Sequence, residues 1–344
     1  MAFLASPGGQ NIREYIRRLK LERGRASMQF LVDLLANLPS LRELDFAHVR
    51  FPKDDVDMAG LGRPRRAIDK LVFSIEYDQW DDSFVNILNI LGLFTDIGQL
   101  EYWGGVKDER QEDVLPNLYW PEPVKIRSLV VFEVPHLWLS VILEAISKKS
   151  GSLDDGTLDT LTIGLEGQAY EVETLMPFVR AAAPCIRRLR LNPVLTGLDD
   201  SYGYDRPEEL SALPLEECVN LRSLVLVIDE HEEGDGLQVI TETQLEAYIQ
   251  LLDRCAPNGI ERVVFDLRCT YDYEVFLGMN WEGMDRVLSK IKSLQSVRVD
   301  YSHIRKFPVD KFKALVPMTV KRGILHIQPA KYPDTTGWLQ TPFE

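Results

Sequence analysis

Few groups in this sequence could build a catalytic or metal centre. Four cysteines (Cys185, Cys218, Cys255 and Cys269) are scattered through 344 residues with no C-x-x-C pair. That spacing argues against a zinc site and suits a reducing compartment. The five histidines, His48, His136, His231, His303 and His326, stand far apart, with no metal-ligand spacing. No G-x-S-x-G elbow, G-x-x-x-x-G-K-[ST] loop, strand-borne G-x-G-x-x-G or H-E-x-x-H pair occurs. Positive charge is also scarce. Lys and Arg total 39 against 53 Asp and Glu, a net charge of −14, which argues against a general grip on phosphate. No apolar run approaches the roughly 18 residues of a membrane span. The opening MAFLASPGGQ lacks the charged and apolar regions of a signal peptide. The expectation is therefore a cytoplasmic or nuclear protein with no cofactor, nucleic-acid or membrane role.

What the sequence does have is a repeat. L-x-x-L-x-L cores recur at Ile16/Leu19/Leu21, Leu41/Leu44/Phe46, Ile68/Leu71/Phe73, Ile97/Leu100/Tyr102 and Ile126/Leu129/Val131. They continue at Leu158/Leu161/Ile163, Ile186/Leu189/Leu191, Leu221/Leu224/Leu226, Ile260/Val263/Phe265 and Leu294/Val297/Val299, with a degraded copy at Leu325 and Ile327. Successive starts lie 25 to 39 residues apart, at or above the roughly 20–29 of leucine-rich repeats. The second and third apolar residues are two apart, so on a strand they enter the core together. Between the cores, apolar residues fall at i, i+3, i+4, i+7. Examples are Phe84/Ile87/Leu88/Leu91, Leu139/Ile142/Leu143/Ile146, Val172/Leu175/Met176/Val179 and Met284/Val287/Leu288/Ile291. That is one stripe of a helix. A single strand and helix cannot bury their apolar faces alone, whereas stacked copies bury a continuous core.

The pattern predicts an α/β fold: an irregular leucine-rich-repeat solenoid, a horseshoe with a parallel β-sheet on its concave face and helices on its convex face. Residues 1–12 form a lead-in, 13–328 hold ten to eleven units, and 329–344 form a tail or cap. The tail carries Trp338, Leu339 and Phe343, suited to covering the open apolar end of a solenoid. Between Arg13 and Arg25, six basic residues face two acidic ones, as a docking edge or a solvated capping strand would. Residues 192–240 hold twelve Asp/Glu against Arg206 and Arg222, either solvated loops or a site for a basic peptide. DEHEEGDG, around His231, does not match a calcium loop.

The helix, proline, then L-x-x-L-x-L succession in LLANLPSLRELDF, AAAPCIRRLRL and RCAPNGIERVVFDL resembles the leucine-rich-repeat region of F-box proteins. The run NIREYIRRLKLE resembles the junction after the F-box in fungal members. The resemblance spans about 16–328. It implies a non-enzymatic substrate-recognition module for a cullin-based ubiquitin ligase. Two departures stand out: an Asn after the strand appears only at Asn192, and no F-box precedes the repeats. Ubiquitin-ligase machinery is thus an expected partner only with an upstream F-box. The alternatives are a stand-alone scaffold or inhibitor, or an enzyme with a site borne on the long loops.

The residues between and just after the apolar pair should point away from the helices. At the central position stand Val72, Val130, Thr162, which is expected to be exposed, and Arg190; at the following one, Trp103 and Phe132 in adjacent units. Neighbouring strands lie about 5 Å apart, so Val72, Trp103, Val130 and Phe132 should form an apolar patch for a protein partner, with Arg190 as a further candidate. Tyr119 and Trp120, in the long segment between Trp103 and Ile126, could anchor a partner or tuck against the solenoid.

Overall fold

A computed structural model describes residues 11–52, 65–75, 84–104, 114–132, 134–165, 169–193, 207–229, 237–255, 259–268, 273–302 and 307–330. The fold is α/β, and the chain divides into two compact units, Met1–Asp159 and Thr160–Glu344.

The first unit carries β1 (Arg18–Arg25), β2 (Glu43–Arg50), β3 (Arg66–Ile75), β4 (Phe94–Gly104) and β5 (Lys125–Phe132), all parallel and in sequence order. Its helices are α1 (Met28–Asn37), α2 (Phe84–Leu91) and α3 (His136–Lys149). The repeat sets the register. Leu19, Leu44, Leu71, Leu100 and Leu129 pair in succession, and so do Leu21, Phe46, Phe73, Tyr102 and Val131. From β2 onward these residues are at most 1% exposed. The rings of Phe46, Phe73 and Tyr102 stack at 5.3 and 5.1 Å, so one repeat position becomes an aromatic column. The helical stripes are buried as the periodicity requires: Ile87, Leu88 and Leu91 on α2, and Leu139, Ile142, Leu143 and Ile146 on α3. α1 begins at Ser27, whose Oγ accepts the Phe30 N–H at 3.2 Å. It ends at Asn37, with Leu38 as its cap ahead of Pro39.

The second unit carries β6 (Thr160–Leu165), β7 (Arg188–Pro193), β8 (Ser223–Asp229), β9 (Arg262–Arg268), β10 (Ser296–Ser302) and β11 (Leu325–Pro329), again parallel and in order. Leu161, Leu189, Leu224, Val263, Val297 and Leu325 are aligned, so the degraded last copy is a true strand. The helices are α4 (Ala169–Ala182), α5 (Leu237–Cys255), α6 (Glu274–Gly278), α7 (Trp281–Lys290), α8 (Val309–Leu315) and α9 (Pro317–Lys321). Between β7 and β8 the described backbone forms 3-10 turns at Pro207–Ala212 and Leu215–Glu217 instead of a helix. Trp281 of α7 meets Phe265 of β9 at 5.3 Å and Phe312 of α8 at 4.8 Å. The helices of this region therefore lie on the face of the repeat's apolar residues.

With no asparagine ladder, arginines satisfy carbonyl groups left over at helix ends. Arg66 of β3 donates to the oxygens of Leu38 (2.6 Å), Leu35 and Leu41, which follow or end α1. Arg322, after α9, donates to Leu288, Ile291 and Leu294 at the end of α7. Each arginine lies on or beside the unit that follows the helix it caps.

Candidate functional site

In the first unit the face away from the repeat's apolar residues is built in three rows. Register places Ser74, Trp103 and Phe132 together; Val72, Glu101 and Val130 form the next row; Lys70, Gln99 and Ser128 form the third. Glu101 is the centre and is 4% exposed. One carboxylate oxygen accepts Lys70 Nζ at 2.7 Å and Gln99 Nε2 at 2.5 Å. The other accepts the Trp103 indole N–H at 3.1 Å. A buried carboxylate needs this degree of compensation. The same bonds fix the indole, whose ring lies 5.2 Å from that of Phe132 at 53°. Gly104, the last residue of β4, follows Trp103 directly and pairs with Ile75. It sits at φ +68°, and a Cβ there would strike the Ile75 carbonyl.

Val72 and Trp103 are half-buried; Val130 and Phe132 are buried. Register brings Trp103 beside Phe132, whereas the Glu101 carboxylate stands between Val72 and Val130, so the expected continuous apolar patch is interrupted, and Trp103 and Val72 are the more accessible of the four. The polar support beneath Trp103 was missed in the sequence, although Gln99, Glu101 and Trp103 are alternate residues of one strand and so share a face.

Tyr119 and Trp120 go elsewhere. The Tyr119 N–H donates to Asn89 Oδ1 at 2.7 Å and the Trp120 indole to the Leu88 carbonyl at 2.9 Å. Both are tied to the end of α2. Gly92 makes room for them, since a Cβ there would lie 2.8 Å from the Tyr119 oxygen. Tyr119 keeps 37% of its surface, and residues 105–113 of the same segment lie outside the described residues.

In the second unit Arg190 is 1% exposed, not an open surface group. Its guanidinium reaches Asp266 Oδ2 on β9 at 2.6 Å, and Arg268 reaches the same oxygen at 3.2 Å. Arg298 pairs with Asp300 at 2.9 Å, and Gln328 donates to Asp300 at 3.1 Å. Burial raises the Asp300 carboxyl above its usual range, against the pull of Arg298. Thr162 was expected to be exposed and is 4% exposed. The period of two assigns its face correctly, but not its access to solvent.

Among the described residues no group of three or more His, Cys, Asp or Glu could hold a metal ion, and no helix is long and apolar enough to cross a membrane. His231, the acidic DEHEEGDG run beyond Asp229, and Trp338, Leu339 and Phe343 of the tail lie outside the described residues. Comparison with protein-family models and with curated proteins found no match.

Proposed function

We propose that the chain is a non-enzymatic protein-interaction module built as a leucine-rich-repeat-like solenoid, comparable to the substrate-recognition region of an F-box protein. The observation that carries this is Trp103: half-buried, held through its N–H by the buried Glu101, and braced by Phe132. A large aromatic fixed in one orientation loses little entropy on binding, and such residues dominate interface energetics. Among the described residues, the carboxylates of Glu101, Asp266 and Asp300 are each occupied by lysine, arginine or indole donors, which suits a structural role. A cytoplasmic or nuclear location accords with the buried, unbridged thiols of Cys185, Cys218 and Cys255.

Affinity capture with the full chain tests the proposal. A stable partner that the Trp103→Ala variant fails to retain supports it. Cullin-ligase adaptor subunits in the captured material favour a ubiquitin receptor acting with an F-box. A partner without them favours the stand-alone scaffold. Turnover of a small molecule with no bound protein would overturn the proposal.

A further inference from the structure

We propose that the outer edge of β1 accepts an extended acidic strand of another protein. Among the described residues β1 is the first strand of its sheet and pairs on one side with β2. Its repeat residues Leu19 and Leu21 are only half-covered, whereas the matching Leu44, Phe46, Leu71 and Phe73 are at most 1% exposed. Among the described residues nothing covers the apolar layer at this end. Ile12 and Tyr15, just before the strand, add exposed apolar surface at 43% and 81%. A free sheet edge offers a row of backbone donors and acceptors, and an added strand gains affinity from them while alternate side chains supply specificity.

Charge selects the occupant. On β1 or just before it in sequence stand Arg13, Arg17, Arg18, Lys20, Arg23 and Arg25 against Glu14 and Glu22, in a chain whose net charge is −14. Arg18 and Lys20 side chains keep 79% and 54% of their surface, although each touches a glutamate. A second copy is a poor fit. Pairing β1 with another β1 opposes basic strands, and pairing it with β11 brings up Lys321 and Arg322 and meets Pro329, which has no N–H to donate. An acidic strand with alternating aliphatic residues satisfies the backbone edge, the half-open leucines and the charge together.

The probe is a blocked heptapeptide alternating glutamate with valine or leucine, titrated into the full chain and followed by fluorescence anisotropy and amide hydrogen exchange. Its controls are the lysine counterpart and a proline-interrupted peptide with the same number of glutamates. The proposal predicts saturable binding of the acidic strand alone, new protection confined to the Arg18–Arg25 amides, and weakening by about tenfold in Arg18→Glu/Lys20→Glu, whose exposed side chains leave the fold intact. Equal binding of the proline-interrupted peptide, protection elsewhere, or no binding at all would overturn it, leaving the basic residues as guards against edge-to-edge aggregation. Self-association through β1 in sedimentation, abolished by the same double variant, would overturn it in favour of a second copy.

Discussion

Asp45 lies between Lys20 and Val72 in register, on the face away from the repeat's apolar residues. Burial raises its carboxyl above the usual range and outweighs the attraction of Lys20 and Lys70. Folding thus favours the protonated acid. Its stabilising contribution is complete below the unfolded value of 3.8 and is lost as pH rises through the higher folded value. Asp45→Asn is predicted to raise the melting midpoint near neutral pH, the gain vanishing as pH falls below 3.8. A gain that grows in acid would contradict this. Burial also pushes Cys218 and Cys255 up to about 12 and raises Cys185. In a Cys269→Ser background, these three thiols should resist a disulfide reagent at about pH 8 until denaturant is added. Rapid native-state labelling would contradict their burial. At this scale the sequence was partly legible. The neighbourhood of Trp103 and Phe132 followed from two repeats and a period of two. The bond from Trp103 to Glu101 did not, because periodicity assigns faces and not partners. The Arg190–Asp266 pair joins residues 76 apart, and no local pattern could have announced it.

The elements are held by two devices of different legibility. Strand residues such as Leu189, 0% exposed and paired with Leu161 and Leu224, were readable as core from L-x-x-L-x-L alone. Leu189→Ala should cost about 2–5 kcal/mol in denaturant unfolding; a change well under 1 kcal/mol would contradict the register. The arginine forks were not readable, since Arg66 and Arg322 look like ordinary surface cations. Arg322 reaches three carbonyls at the end of α7. Arg322→Ala should cost about 1–3 kcal/mol, the penalty for leaving such acceptors unmade. Hydrogen exchange should quicken first at the end of α7 and in β11. Unchanged stability would mean that water replaces the guanidinium without loss. The helix stripes on α2, α3, α4 and α7 were legible for the opposite reason, as four stretches independently fit one template.

Across the molecule, each unit is a stack of short parallel strands in sequence order, with helices between them and one repeat position continued from strand to strand. A chain built this way can present a long row of side chains along one face. On the proposed function, the first unit uses such a row, with Trp103 as its anchor, to hold a protein partner. The most direct test is the equilibrium affinity of a captured partner for the intact chain and for Trp103→Ala, matched in circular dichroism and melting midpoint, with Tyr119→Ala as a control. An anchoring role predicts a loss of at least about thirtyfold for Trp103→Ala, the scale of a hot-spot residue, and little change for Tyr119→Ala. Unchanged affinity in Trp103→Ala, or a larger loss in Tyr119→Ala, would contradict it.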